Sequence, residues 1–316
     1  MFVMLIGLAG CRADDGATTR HVVPTETGTT AAEPSAPEAP PLAGSLSSGV
    51  RVAGRSPLVA IIVDDWGQAR TGPQAVILTL PQPLTLAVLP CLLHSGEIAA
   101  LATDLDLPGD IPGAASARPA ARPALATARR EIFLHMPMLP VDYPESNPGE
   151  PVVESGLDAA EVERRLDRSL ATVPGARGVN NHMGSAATAD PALMAVFMEL
   201  LARRHLLFVD SLTSPASVAF VEARRAGVPA LRNRIFLDAD RTSEDAVAAN
   251  LATLVAWARL HGAAVGIAHP YVTTADVLAR DLGRYEAEGV RFVTISELFA
   301  LTAAGAPGGG GVADGR

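Results

Sequence analysis

Short apolar runs of strand length alternate along the chain with longer segments of helical period. The runs lie at 58–63, 84–89, 131–134, 177–179, 206–209, 234–237, 264–268 and 291–295. Their nearly continuous apolar character is typical of parallel strands that are buried on both faces. Repeated strand-helix units of this kind predict an α/β fold, a distorted (β/α) barrel of seven or eight strands.

Helix start signals lie between these runs. Asp158 is followed three residues later by Glu161, the spacing of a capping box, and apolar residues then repeat every four positions. Asp190 precedes Pro191, which favours a capped helix with proline in its first turn. Ser243 is expected to begin a third helix.

The first residues, 1–11, form an apolar run that ends in Leu-Ala-Gly-Cys. This ending resembles the lipobox at which bacterial lipoprotein precursors are cleaved and lipidated, so Cys11 is a candidate lipid anchor. The run is short and no Lys or Arg precedes it, which leaves a frayed apolar terminus as the alternative. We expect an exported protein, either periplasmic or anchored to a membrane as a lipoprotein.

Composition predicts the remaining organisation of the chain. Segments rich in Pro, Ala, Thr or Gly without apolar periodicity favour tethers, insertions and disordered tails. We therefore expect a tether at 12–56, a barrel domain at 57–301 with an insertion at 104–130, and a disordered tail at 302–316.

Charge and residue counts exclude several function classes. The formal net charge is -9 and no long basic run is present, so the chain lacks the electrostatic pattern of a nucleic-acid-binding protein. Two cysteines support neither a disulfide framework nor a cysteine-based zinc site. The absence of a Gly-x-Ser-x-Gly elbow and of a P-loop disfavours acyl-enzyme and nucleotide chemistry.

Polar residues stand at the carboxyl end of one predicted strand after another. In a parallel α/β barrel these ends converge on one face, where active sites lie. The residues are Asp64-Asp65, His135, Asn180-Asn181-His182, Asp210-Ser211, Asp238 and His269-Pro270.

Asp64 and Asp65 are two adjacent carboxylates at the end of a buried strand, where their charges need compensation. Successive strand residues point to opposite sides, so the two are expected to have different roles unless the strand is already turning. A metal bound by one carboxylate, with the other acting as base, would resolve the charge problem. The alternative is that one of them caps the turn before Gly67.

Histidines could complete a metal site with Asp65. His135 and His182 each follow a predicted strand, and together with Asp65 they form a ligand set suited to Zn²⁺ or another divalent metal. His94, in the loop after the second strand, is the rival ligand.

The other polar residues are candidates for proton transfer and substrate binding. His269 is a candidate general acid, because the ordinary pKa of histidine, about 6.5, lies near neutral pH. Asp210 and Asp238 could each orient a histidine or cap the next helix; we favour Asp210 as a functional residue and leave both roles open for Asp238. The predicted substrate-binding residues are Asn180, Asn181, Ser185 and Ser211.

Six ordered motifs, IIVDDWG, EIFLHMPM, GVNNHMGS, FVDSLTS, IFLD and GIAHPYVTT, resemble the divergent polysaccharide deacetylases, a bacterial group of exported proteins. The resemblance runs from about Leu58 to Leu298 and implies a distorted barrel that holds zinc through an Asp and two His, with a second Asp as base. It implies Asp64 as base and Asp65 as ligand. Leu139 stands where a second histidine of a His-x-x-x-His motif would fall, so we take His182 from the next strand.

The reaction implied by this resemblance is removal of an acetyl group from an N-acetylated sugar of a cell-envelope polysaccharide. Water activated by a divalent metal and by Asp64 would attack the amide, and His269 would protonate the departing amine. A non-catalytic envelope protein that keeps the fold as a sugar-binding or regulatory module is one alternative. A metal-dependent hydrolase of another amide or ester is a second.

Overall fold

A single parallel sheet organises the part of the chain that the computed structural model describes, residues 56–101 and 129–303. The sheet is curled like part of a barrel, and its strands run in the order β6-β5-β4-β3-β2-β1-β8-β7, with β9 paired to β1. The strands are β1 (Leu58–Trp66), β2 (Leu84–Val88), β3 (Arg130–Met138), β4 (Gly178–Met183), β5 (Leu207–Asp210), β6 (Ala230–Arg232), β7 (Ile235–Phe236), β8 (Ala263–Ala268) and β9 (Arg291–Val293).

Helices follow most of these strands and cover the sheet. They are α1 (Pro73–Thr79), α2 (Ser95–Ala100), α3 (Ala159–Thr172), α4 (Pro191–Arg203), α5 (Ala219–Arg225), α6 (Glu244–His261), α7 (Val272–Ala287) and α8 (Ile295–Ala303), with a 3₁₀ turn at Ala187–Ala189. No helix within the described ranges has the length and hydropathy that crossing a membrane requires.

The three predicted helix starts are confirmed by cap hydrogen bonds. The Asp158 carboxylate accepts from the Glu161 amide at 2.7 Å and begins α3. Asp190 accepts from two amides in the first turn of α4, and Ser243 Oγ accepts from the Ala246 amide at 3.1 Å at the start of α6. Each cap satisfies amide groups that the helix itself leaves unpaired, a contribution of about 1 kcal/mol.

Both faces of the sheet are buried, which explains why the strands read as unbroken apolar runs. In β1, Ile61 and Val63 pack into one apolar cluster, while Ala60 and Ile62 pack into a second cluster on the opposite face. Parallel sheets with two covered faces have this character, and the predicted barrel-like α/β fold is confirmed.

Several boundaries differ from the predictions. The short strand β6 has no counterpart among the predicted strands, because its three residues are too few for a detectable pattern. Arg130 opens β3, so the predicted insertion ended one residue too late, and α8 runs to Ala303, past the predicted start of the tail at 302. The predicted anchor at 1–11, the tether to residue 55 and the rest of the insertion and tail lie outside the described residues.

Gly178 in β4 provides a test of the packing. A Cβ atom at this position would lie 2.5 Å from the Phe133 ring and 2.8 Å from the Leu207 carbonyl oxygen, whereas a Cβ at the exposed Gly283 in α7 would meet nothing within 4 Å. We expect Gly178→Ala to lower the free energy of unfolding by about 1–3 kcal/mol through overpacking. Gly283→Ala should raise it by about 0.5–1 kcal/mol through helix propensity. Urea unfolding curves of both variants measure the difference, and equal midpoints would contradict this account of β3 and β4 packing.

Candidate functional site

The carboxyl ends of the strands surround an open cleft of about 280 Å³. Because all the strands are parallel, their carboxyl ends lie together at one end of the sheet. The residues that line the cleft are Asp64, Asp65, His135, Asn181, His182, Met183, Ser211, Thr213, Phe236 and His269.

A bulge at the end of β1 brings both carboxylates to this cleft. Val63 lies opposite Leu86 and Trp66 opposite Val88, so β1 contains one more residue than β2 in this stretch. Asp65 occupies the extra space with a left-handed φ of 59°. Strand alternation alone would have sent the two side chains to opposite faces; the bulge re-aims them.

Left-handed residues also mark two other strand ends at the cleft. Met183, the last residue of β4, has a φ of 54°, and Leu212, just after β5, has a φ of 56°. Such conformations cost free energy for residues other than glycine, and they concentrate at functional sites where side chains need unusual directions.

Three donor atoms form a nearly equilateral triangle at the centre of the site. Asp65 Oδ1 lies 3.3 Å from His135 Nε2 and 3.2 Å from His182 Nδ1, and the two ring nitrogens are 3.1 Å apart. Among the described residues, Asp65 Oδ1 is buried without a hydrogen bond of normal geometry. The triangle therefore brings three potential metal-ligand atoms within 3.3 Å of one another.

The triangle fits a divalent metal ion. Ligand atoms about 2.0–2.1 Å from zinc lie about 3.3 Å apart at tetrahedral angles. The separations of 3.1–3.3 Å match one face of such a tetrahedron, which leaves a further position for water or substrate. Among the described residues, Asp65, His135 and His182 are the group whose donor atoms meet in this way.

Asn180 fixes the orientation of the His135 ring. The ring nitrogen Nδ1 of His135 lies 3.0 Å from Asn180 Oδ1, an atom that can only accept a hydrogen bond, so Nδ1 carries the proton. In the neutral imidazole, Nε2 then holds the lone pair that faces the triangle, as a metal ligand requires.

Charge distinguishes the two aspartates. Burial raises the pKa of Asp64, which is only 2% exposed, although His135 and His269 act in the opposite direction. Burial also acts to raise the pKa of Asp65, but the nearby His135 and His182 outweigh it and hold that pKa below its usual value. Burial lowers the pKa of His135, yet the charges of Asp64 and Asp65 raise it overall. A carboxyl of raised pKa beside one of lowered pKa is the pattern of a base next to a ligand.

His269 faces the cleft from the end of β8 and is held by Asp238. Its Nδ1 lies 2.9 Å from Asp238 Oδ1, and Asp238 Oδ2 accepts hydrogen bonds from the His269 amide and from Thr274 Oγ1. Burial lowers the pKa of His269, but the hydrogen bond and charge of Asp238 outweigh burial and raise that pKa to about 9. Phe236 stacks on the ring, with centroids 6.3 Å apart.

The structure does not bring Asp210 to the site. Its carboxylate is fully buried, accepts from the Leu212 amide and from Ser217 Oγ, and does not line the cleft. The preference for Asp210 as a functional residue is therefore corrected. Asp210 holds the segment after β5, whereas Asp238, whose role was left open, is the residue that orients a cleft histidine.

The rival ligand His94 and the predicted contact Ser185 also lie away from the cleft. His94 Nδ1 pairs with the Glu97 carboxylate at 2.8 Å at the start of α2. Ser185 Oγ accepts from the Val141 amide, joining the loop after β4 to the loop after β3. Neither lines the cleft.

The predicted substrate contacts otherwise differ in exposure. Asn181 and Ser211 line the cleft, although Asn181 Oδ1 also accepts from the Ser211 amide and its Nδ2 donates to the Met183 carbonyl. Asn180 is fully buried, and its amide is used by neighbouring side chains. It is therefore not placed to contact substrate, which corrects that prediction.

Met183, Thr213 and Phe236 line the cleft but were not predicted as site residues. All three fall within or beside the motifs at strand ends, in NNHMGS, FVDSLTS and IFLD, which is the available signal. Their side chains carry no chemistry that would single them out, because apolar and hydroxyl groups are equally common at structural positions.

Comparison with known proteins places the chain among the divergent polysaccharide deacetylases, whose family model matches residues 110–299. The matched stretch includes His135, His182, Asp238 and His269 and begins after Asp64 and Asp65.

Individual relatives are similar over most of the chain. An uncharacterized protein of Haemophilus influenzae is 34% identical over 241 residues, covering 76% of this chain and 76% of that protein. The uncharacterized protein YibQ of Escherichia coli is 30% identical over 222 residues, 70% of this chain and 60% of that protein. The crystal structure of an uncharacterized protein from Agrobacterium tumefaciens is 25% identical, with a TM-score of 0.66, covering 78% of this chain and 90% of that one.

The Asp238–His269 pair generates a titration test. In protein freed of metal by chelation, an NMR titration of the His269 ring should give a pKa of about 9, and Asp238→Asn should lower it by removing the bonded charge. Because the pKa of His269 is higher in the folded protein than the ordinary value of 6.5, protonated His269 stabilises the fold fully at pH values below 6.5. This stabilisation is lost as the pH rises through about 9. Asp238→Asn should flatten that loss.

The control for this titration is Glu97→Gln, which removes the carboxylate from His94 instead and should leave the His269 titration unchanged. A wild-type pKa near 6.5, or the same pKa in wild type and Asp238→Asn, would contradict the pairing.

Proposed function

Because the chain belongs to the divergent polysaccharide deacetylase family, we propose that it is an exported, metal-dependent hydrolase that removes acetyl groups from N-acetylated sugars of a cell-envelope polysaccharide. The observation that carries the proposal is the triangle of Asp65 Oδ1, His135 Nε2 and His182 Nδ1, with separations of 3.1–3.3 Å. A ligand set of one carboxylate and two imidazoles with an open position is typical of catalytic zinc.

In this proposal Asp65, His135 and His182 hold the metal. A divalent ion of this kind, when bound, polarises the carbonyl of the substrate and makes water a stronger nucleophile at neutral pH. The donor set of one carboxylate oxygen and two imidazole nitrogens suits zinc or another divalent first-row metal.

Asp64 is the proposed general base. Its Oδ1 is held by the Asn180 amide at 2.9 Å, while Oδ2 lies 3.5 Å from His135 Nε2, beside the triangle. The carboxylate is thus fixed next to the place where the attacking water must lie. Its raised pKa brings it closer to neutral pH and makes it a better proton acceptor than an exposed aspartate.

His269 is the proposed general acid. Asp238 holds its Nδ1, so Nε2 is the nitrogen left to exchange a proton with a bound molecule in the cleft. The same carboxylate stabilises the imidazolium form, which keeps the proton in place until the leaving amine takes it.

The substrate of the proposed reaction is a glycan, as the family implies. The cleft is open, as the binding of a long polymer requires, and Asn181, Ser211 and Thr213 place an amide and two hydroxyls on its lining. Phe236 adds an apolar surface beside His269, and apolar faces of sugar rings pack well on such surfaces.

The alternative of a non-catalytic envelope protein drew its support from Leu139, which stands where a second histidine ligand would fall. His182 on the adjacent strand β4 supplies a ring nitrogen 3.1 Å from His135 Nε2. A complete ligand set together with a buried carboxylate and an aspartate-held histidine supports catalysis over binding alone.

Metal content and acetate release together test the proposed function. Purified protein should contain about one divalent metal per chain and should release acetate from chitooligosaccharides or peptidoglycan fragments. Asp65→Ala and His182→Ala should abolish both the metal and the release. Asp64→Asn should keep the metal while kcat falls by about 10²–10⁴-fold, because only the base is lost.

The matched control is His94→Ala, which removes a histidine whose ring pairs with Glu97 away from the cleft, and which should change neither readout. Metal bound without turnover of any glycan would favour the binding module. Acetate released by Asp65→Ala at the wild-type rate would contradict the ligand assignment.

Export and anchoring form a separate part of the proposal, supported by the lipobox-like sequence that ends at Cys11. After expression in a bacterial host, wild-type protein should fractionate with membranes, and Cys11→Ala should move it to the soluble fraction. Cys91→Ala is the matched control and should leave the protein with the membranes. The same distribution for wild type and Cys11→Ala would contradict lipid anchoring.

A further inference from the structure

The buried side-chain amide of Asn180 forms hydrogen bonds with both Asp64 and His135. Its Nδ2 donates to Asp64 Oδ1 at 2.9 Å and to Ser211 Oγ at 3.2 Å, and its Oδ1 accepts from His135 Nδ1 at 3.0 Å. The side chain is fully buried. Both of its polar atoms are therefore used by neighbouring residues, and neither is left for a substrate.

The sheet explains why this residue reaches both partners. Asn180 lies opposite His135 in the ladder between β3 and β4 and opposite Val209 in the ladder between β4 and β5, so its backbone is fixed on both sides. Asp64 belongs to β1, and β2 and β3 lie between β1 and β4 in the sheet. The Asn180–Asp64 hydrogen bond therefore crosses the concave side of the curled sheet.

We propose that Asn180 is a positioning residue that sets the geometry of the base and of one metal ligand at the same time. Its acceptor oxygen selects the His135 tautomer with the lone pair on Nε2, which faces the triangle. Its donor nitrogen holds Asp64 Oδ1, so that Oδ2 remains beside the triangle, 3.5 Å from His135 Nε2. This inference rests on the proposed function for the identity of the base and the ligands.

The neutral amide of Asn180 meets both requirements. An ionised carboxylate at this position would still accept from His135 Nδ1, but it would place a second negative charge against Asp64 instead of the N–H that Asp64 accepts. An alanine would provide neither group. The two substitutions therefore separate the two roles. Asn180→Asp should disturb the base alone, and Asn180→Ala should disturb both the base and the ligand.

The experiment uses the full-length protein, stripped of metal with a chelator and titrated with Co²⁺ while the visible absorption spectrum is recorded. Asn180→Asp should bind Co²⁺ at least as tightly as wild type and with the same spectrum, because the acceptor for His135 is kept. Asn180→Ala should bind Co²⁺ about 10–100-fold more weakly, the usual effect of losing a group that orients a ligand.

Kinetics on a chitooligosaccharide, with the proteins loaded with Co²⁺, give the second readout. Asn180→Asp should lower kcat by about 100-fold with KM unchanged, because the base is misplaced while the substrate contacts remain. A rise in KM at constant kcat would instead identify a substrate contact and overturn the proposal. Asn147→Asp is the matched control: it makes the same atomic change at an exposed residue whose Oδ1 accepts from the Gly149 amide, and it should change neither readout.

Thermal unfolding shows whether each variant folds. If Asn180→Ala does not fold, Asn180→Asp still decides, since loss of Co²⁺ binding in that variant would overturn the role assigned to the acceptor oxygen. Equal Co²⁺ affinity in wild type and a folded Asn180→Ala would also overturn the proposal, as would absence of Co²⁺ binding in wild type. If wild type binds Co²⁺ without turning over a glycan, the proposed function fails, and the affinities of the two variants still decide whether Asn180 orients His135.

Discussion

Two adjacent carboxylates, the buried Asp64 and the half-buried Asp65, lie at the end of a buried strand, and the arrangement of the site follows from this constraint. An isolated charge in such a place is strongly unfavourable unless hydrogen bonds or opposite charges compensate it. The two are compensated differently. Asp64 receives the buried amide of Asn180, and Asp65 is placed against two imidazole nitrogens.

The charges around the cleft remain unbalanced after these contacts. Asp64, Asp65 and Asp238 are three carboxylates, and His269 is the histidine that Asp238 favours in its protonated form. If His135 and His182 are neutral ligands, two negative charges remain, which is the charge that one divalent cation would balance. The raised pKa of His135 reflects the same excess of negative charge. In the absence of a cation, a proton on the ring would supply part of the positive charge that the site lacks.

Much of the fold could be predicted from the sequence because its signals are local. Strands buried on both faces leave apolar runs, and the cap residues Asp158, Asp190 and Ser243 mark helix starts with hydrogen bonds that depend on a few neighbouring residues. The three-residue strand β6 was missed because its pairing partner, β5, is supplied by the tertiary structure rather than by its own sequence.

The residues of the site could be predicted better than their geometry. Strand-end position was enough to bring Asp65, His135 and His182 together, but it could not show that a bulge would turn Asp64 and Asp65 into the same cleft. Nor could it decide between Asp210 and Asp238, since the direction of a side chain at a strand end depends on where pairing stops. Asn180 was correctly assigned to the site but given the wrong role. Its burial and its three hydrogen-bond partners depend on strands that are distant in the sequence.

The central claim is that three side chains from β1, β3 and β4 bind one divalent metal ion, and anomalous X-ray diffraction at the zinc edge from crystals grown with Zn²⁺ tests it most directly. We expect one strong anomalous peak about 2.0–2.2 Å from Asp65 Oδ1, His135 Nε2 and His182 Nδ1. A zinc peak at His94, or crystals with no peak within reach of these three atoms, would contradict it.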